Sequence, residues 1–510
     1  MHSTNTPPGN KGWSSSPLVL TLIAVAIGLI LWAIIPTTDY LTAVGVRFLA
    51  IVIATMFLWI KVGTDWPALL FLGMLVVGGV LTPGALWATS LGNPIVALVL
   101  VYTMLAVCLG RNGVIDSITA WFISRPFVKG RPYAFMAMFF AAHFAVGTVM
   151  HNFAVFVVFL SITVRLCKVL DIDKSHKLYI ILMCGNLWVN GIINGATPIA
   201  KTIPNIIIGL LYSQLGVNIS YMQWLAVGIP IMIVSLGVVM LAIRILNPDV
   251  SALRNLNVDE FVASTPKMST GGKIAVVATI IVLAITVLPE IFLTMNILVG
   301  ISSWFMALGV SVPAVIAIVV LSLTTVKGER VLQFDSVIKD VPLSMLIFVG
   351  AIMVMGAPMA SPHTGVILQF RNILDPIFGG MNPLFIIAFA GLGALIITQF
   401  ISNSVVAILF VNIGVAIFIG MGVGVGVSIP MVVAFALVVG LTSCFAVSTP
   451  GATIVTPLIF SPGYITVATS IKVNLVFLVL ILLATIIIFV PFITWLMNIL
   501  LVLPPVAYGY

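Results

Sequence analysis

Residues 383–424 read PLFIIAFAGLGALIITQFISNSVVAILFVNIGVAIFIGMGVG. The stretch is apolar almost throughout, yet far longer than one membrane crossing, which takes about 20 residues. Its polar interruption, Ser402-Asn403, falls near the middle. Such a run reads as a re-entrant hairpin that enters a bilayer and leaves on the same side. Backbone that leaves the helix in hydrocarbon exposes N–H and C=O groups, each costing several kcal/mol unless protein, water or an ion meets it. The tip is therefore expected to face protein or a ligand. Residues 132–168 repeat the pattern, with His151-Asn152 at the interruption.

The rest of the chain agrees with a membrane setting. Of 510 residues, 62% are hydrophobic and 7% are charged, against roughly 25% charged in soluble domains. Thirteen acids and 21 bases cannot cover a soluble fold of this size, so the soluble enzyme classes are excluded. The apolar runs are continuous and do not alternate over about ten residues, so the fold class is all-α and polytopic, not a barrel. The four cysteines, Cys108, Cys167, Cys184 and Cys444, lie in apolar runs at unrelated spacings and suggest neither zinc nor disulfides. The net charge of +8 comes from bases in the loops between spans. The expected partner is the lipid bilayer, and no nucleic acid is implied.

Spans are expected over 17–35, 41–60, 66–81, 94–110, 178–215 and 222–246 around the first hairpin. In the second half they fall at 273–288, 304–326, 342–360, 430–459 and 472–502 around the second. This gives a tail over 1–16, a first membrane half over 17–246, a polar linker over 247–272 and a second half over 273–503. No cleavable signal peptide is expected. With a cytoplasmic N-terminus and alternating spans, 18 of the 21 basic residues fall inside, Arg371 falls outside, and Arg47 and Lys201 lie within spans. Such asymmetry is the positive-inside signature. It places the C-terminus outside, the first hairpin on the cytoplasmic side and the second on the outer side, in a plasma or inner membrane.

The halves also echo each other. Gly113-Val114-Ile115 recurs as Gly365-Val366-Ile367 and Thr197-Pro198 as Thr449-Pro450, both shifted by 252; Asn152 recurs as Asn403, shifted by 251. Opposite orientations of the halves make this an inverted repeat, the plan of secondary transporters with a midplane site made by interrupted helices. The interruptions are expected at Asn194–Pro198 and Ser448–Ala452.

Thr398-Gln399-Phe400-Ile401-Ser402-Asn403-Ser404, Ser448-Thr449-Pro450-Gly451 and the early Arg47-Phe48-Leu49-Ala50 segment together resemble the divalent anion–sodium symporter family of the ion transporter superfamily. The resemblance implies an elevator-type, homodimeric transporter of a small divalent oxyanion: a dicarboxylate, a tricarboxylate or sulfate. It implies a sodium site at Thr398, the Ile401 carbonyl, Asn403 and the Ser448 carbonyl. Substrate contacts would come from Asn152, Thr202, Asn403, Ser404, Thr449 and Pro450. The first half departs from the family pattern. His151-Asn152-Phe153 stands where the family has Ser-Asn-Thr, and Lys201 stands where it has a small residue. One sodium ion is therefore expected. The Lys201 ammonium would replace the other, held by Asn152 and carbonyls freed at the break.

Other polar residues read as follows. His151 is either a proton-sensitive group or a neutral imidazole bonded to a freed carbonyl. His143 is expected to pack, and Arg47 to snorkel. Asn112–Phe127 and His363–Phe378 read as interfacial amphipathic helices. All 13 acids are expected in loops or at span edges, which weakens an ion or arsenite antiporter of the same superfamily. A sodium-independent anion exchanger or uniporter is a further alternative. An intramembrane enzyme would need a nucleophile–base pair or metal cluster in the spans, and the five scattered histidines offer none.

Overall fold

The computed structural model describes residues 16–501 apart from 64, 151, 200, 264–266, 342, 379, 423–426, 450, 451, 454 and 461. Helices α1 (Pro17–Ile34), α2 (Ala43–Lys61), α3 (Trp66–Val77) and α4 (Pro83–Thr89) lead into α5 (Pro94–Arg111). α6 (Val114–Ile123) precedes a hairpin of α7 (Pro132–Val149) and α8 (Asn152–Val169). Then come α9 (Lys177–Ala196), α10 (Thr202–Leu215) and α11 (Tyr221–Leu246), and the linker holds α12 (Ser251–Arg254) and α13 (Val258–Ala263). The second half opens with α14 (Thr270–Thr294), α15 (Val299–Ala307), α16 (Val312–Leu323) and a small ribbon of β1 (Thr325–Val326) and β2 (Glu329–Arg330). It continues with α17 (Phe334–Lys339), α18 (Leu343–Ala360), α19 (Val366–Phe378) and a hairpin of α20 (Pro383–Ile397) and α21 (Asn403–Gly420). α22 (Ile429–Ser443), α23 (Pro457–Phe460), α24 (Val467–Ala484) and α25 (Val490–Leu500) complete it, with a π turn between the last two.

Among the described residues nine helical segments are long and apolar enough to cross a bilayer, and α15 with α16 forms a further pair. The chain is a multi-pass integral membrane protein. Three expectations need correction. The single span over 304–326 is two helices bent by 77°, begun by Leu298 in the left-handed region and restarted before Pro313. Proline fixes φ and removes a donor, so it favours the first turn of a new helix. The second interruption begins at Cys444, several residues before Thr449, and continues to the four-residue α23. α14 runs on to Thr294, so Glu290 is a buried acid inside a helix and accepts a 2.7 Å bond from the Ser220 hydroxyl.

One order of elements occurs twice: an amphipathic helix, a hairpin and an interrupted helix. Gly113 and Gly365, the matching residues of the sequence echo, both adopt positive φ, +72° and +69°, immediately before α6 and α19. A side chain there would be strained, and at Gly365 a Cβ would also lie 1.7 Å from the Tyr40 carbonyl. Contacts between helix ends and loops tie the elements together: Arg111 pairs with Asp340 at 2.5 Å, Lys129 with Asp259 at 2.6 Å, Lys174 donates to the Gly463 carbonyl at 2.9 Å, and Thr42 donates to the His363 carbonyl at 2.7 Å.

Candidate functional site

The two hairpins pack on the two interrupted helices, α7 and α8 on α9, α20 and α21 on α22. The interrupted helices in turn touch each other. A Cβ on Gly191 of α9 would lie 2.8 Å from the Cys444 carbonyl, where α22 ends, and one on Gly195 would lie 3.1 Å from the Leu441 backbone. The last turns of α9 and the start of the second unwound segment are thus held in one buried region.

The tip-to-break contact is made the same way in each half. The Thr197 hydroxyl donates to the Thr148 carbonyl at 3.2 Å, and the Thr449 hydroxyl donates to the Gln399 carbonyl. Donors and acceptors are related by the offsets that relate the sequence echoes. Each bond satisfies a carbonyl that the end of a hairpin leg would otherwise leave without a partner.

At the second tip the Thr398 hydroxyl is fully buried and donates to the Ser443 carbonyl at 2.5 Å. Both lone pairs of that oxygen remain open. Asn403 begins α21, is buried, and its side chain has no partner among the described residues. Ser448 is buried, and Ile401, Ser404 and Thr449 are half-buried. These residue types carry neutral oxygens of the kind a hard cation takes. Pro450 lies outside the described residues, as does His151.

Sequence reasoning passed over the residues that fix this tip. Gln399 donates through Nε2 to the Leu395 and Phe445 carbonyls, at 2.9 and 2.7 Å, and accepts from the Val447 N–H at 3.2 Å. A single side-chain amide thus stands in for a strand pairing along the unwound segment. From α24, Asn474 donates to the Val447 carbonyl at 2.7 Å and accepts from the Trp188 indole of α9 at 2.7 Å. The available signal was a lone amide in the apolar 467–484 run, since such amides join membrane helices.

The first site is built on Lys201, which is fully buried. Its ammonium donates to the Gly147 carbonyl at 2.7 Å and to the Met150 carbonyl. These carbonyls belong to the last turn and cap of α7, the negative end of a helix dipole. The sequence reading placed the ammonium on the Asn152 side chain and the carbonyls of the break; among the described residues neither holds it. The break's own carbonyls, those of Pro198 and Lys201, are met instead by Asn205 Nδ2 at 2.7 and 2.5 Å, and Tyr221 donates to Asn205 Oδ1 at 2.7 Å. Asn152 begins α8 half-buried and without a partner among the described residues. Thr202 begins α10; its hydroxyl contacts the Met345 sulfur at 3.3 Å. His143 packs as expected, stacked on Phe159 with centroids 4.1 Å apart.

Chemically, the chain offers one buried lysine, helix starts at Asn152, Thr202 and Asn403, and neutral oxygens at the second tip. Helix N-termini suit an anion. Among the described residues no group of three His, Cys, Asp or Glu gathers as a metal site. A family model described as citrate transporter matches residues 54–440, a stretch that contains both hairpins and the first break. No curated protein matches the chain significantly.

Proposed function

The chain belongs to the citrate transporter family, and on that premise we propose that it is a secondary transporter of a small oxyanion: a dicarboxylate, a tricarboxylate such as citrate, or sulfate. The observation that carries the reading is the duplicated contact of Thr197 with Thr148 and of Thr449 with Gln399. It holds each re-entrant tip against an unwound segment, the arrangement from which transporters of this plan build a midplane site.

In this reading the anion rests on the N-termini of α8, α10 and α21. Asn152, Thr202, Asn403, Ser404, Thr449 and Pro450 supply donors or shape the site. Lys201 supplies a fixed positive charge. One sodium ion is held by Thr398 Oγ1, the Ile401 carbonyl, Asn403 Oδ1 and the Ser448 carbonyl. The open lone pairs on Thr398 and the unpartnered Asn403 amide fit that ion. The ion neutralises substrate charge as both move. The halves form an inverted repeat that works as an elevator in a homodimer of the divalent anion–sodium symporter type. The N-terminus lies in the cytoplasm and the C-terminus outside. The 18 basic residues that this orientation places inside support it.

Purified protein in proteoliposomes should accumulate radiolabelled citrate, succinate or sulfate when a sodium gradient points inward. No movement of any of the three, with sodium or without, would refute the proposal. A second reading, sodium-independent exchange, is favoured by Lys201, since a fixed ammonium already occupies one cation position. Uptake that requires internal substrate and ignores sodium would select it.

A further inference from the structure

A groove of about 300 Å³ lies between α1, α2 and α3. On α2 it is bounded by Arg47, Ile51, Ala54 and Leu58, spaced i, i+4, i+7 and i+11 on one helix face. At 1.5 Å per residue this face is about 16 Å long. The guanidinium at its head is the sole formal charge among the lining side chains. Arg47 is half-buried. Its Nε is buried without a hydrogen-bond partner, and the residue makes no ion pair among the described residues. Its Nη1 lies beside the Gly79 turn, where a Cβ would approach it to 3.4 Å.

A membrane-embedded charge of this kind needs an anion, and the protein supplies none there. The anion must also suit an apolar groove that continues from the guanidinium. Trp32, more than half exposed, lines the same groove on α1, and tryptophan favours the headgroup level of a bilayer. We propose that this groove binds one phospholipid, with its phosphodiester on Arg47 and one acyl chain along the Ile51–Leu58 face. Guanidinium pairs phosphate oxygens through parallel N–H bonds, which a lysine cannot reproduce in full. Gly28 keeps the middle of the groove open, since a Cβ there would already contact Ala54 at 3.5 Å.

The test is native mass spectrometry of the full-length protein released from detergent micelles to which dipalmitoyl phosphatidylglycerol has been added. The wild type should carry one lipid per chain. Arg47→Leu, which keeps apolar volume, should lower occupancy about tenfold, the loss expected for a charge-assisted pair. Arg47→Lys should fall between them. Gly28→Leu, which blocks the tail and leaves the guanidinium, should also lose the lipid; it serves if Arg47→Leu folds poorly. Equal lipid retention by wild type and both variants would overturn the proposal. So would thermal stabilisation by inorganic phosphate equal to that by the lipid, which would mark a free-anion site. A wild-type dimer that carries no lipid and becomes monomeric on Arg47→Leu would assign the groove to a second copy and overturn it too. Transport is not read, so the result stands apart from the function proposed above.

Discussion

An ammonium inside a membrane span costs about 2.5–3.5 kcal/mol even on lenient insertion scales. Lys201 offsets that cost with the Gly147 and Met150 carbonyls and no carboxylate. In the proposed function that charge faces the anion. Replacing it by Ala should weaken substrate binding, measured as a rise in the uptake KM. In the second half Asn403 is buried and its side chain has no partner among the described residues. Losing a hydrogen bond to a charged group costs about 1.5–3 kcal/mol. Asn403→Ala should accordingly weaken substrate affinity roughly ten- to a hundredfold while the thermal midpoint stays near the wild-type value. Gln399 should behave in the opposite way. Its amide is used up by three internal bonds to the backbone at 395, 445 and 447. Gln399→Leu leaves a buried C=O and N–H without partners, each costing about 1–3 kcal/mol. A clear drop in thermal midpoint in detergent is expected, and an unchanged midpoint would remove Gln399 from the tip's support.

At the scale of elements, the hairpins and the first break were legible because each interrupts an apolar run with a polar or kinking residue, Asn152, Asn403 and Pro198 among them. The amphipathic helices were legible for a similar reason, since α19 carries polar residues on one face only. What stayed hidden lies in apolar sequence. The bend between α15 and α16 falls in Leu308-Gly309-Val310, and the unwinding of α22 starts in Cys444-Phe445-Ala446-Val447. Hydrophobicity reports what surrounds a side chain, not whether its backbone is helical, so the α22 break leaves no mark there, and Gly309 and Pro313 were the only signal of the other. The straps that make them affordable, Gln399 and Asn474, act across long sequence separations and are equally silent. The orientation of the hairpins can be tested directly. All four native cysteines are buried, so a membrane-impermeant thiol reagent should report only an introduced one. Arg131→Cys, at the base of the first hairpin, should label from the cytoplasmic side. Gly380→Cys, at the base of the second, should label from the outside. Labelling of both from one side would sink the inverted arrangement.

For the whole molecule, the asymmetry between the two tips bears on the proposed coupling. Both tips meet their breaks through a threonine hydroxyl, yet one half places an ammonium on the carbonyl end of its hairpin leg and the other places an uncharged amide, Gln399. If a sodium ion completes the second site alone, one charge per cycle is carried by sodium. The second positive charge is covalently fixed in Lys201 and returns with the protein, whatever the substrate does. Uptake should then rise with sodium concentration hyperbolically, or not at all, and without the steep cooperativity of several coupled ions. Converting the first half toward the symporter pattern, with Lys201→Gly, His151→Ser and Phe153→Thr combined, removes the fixed charge and restores two hydroxyls. That variant should gain a second, cooperative sodium dependence. A wild type that already shows steep cooperativity would mean that Lys201 does not occupy a sodium position, and its ammonium would have to be explained by the architecture of the tip alone.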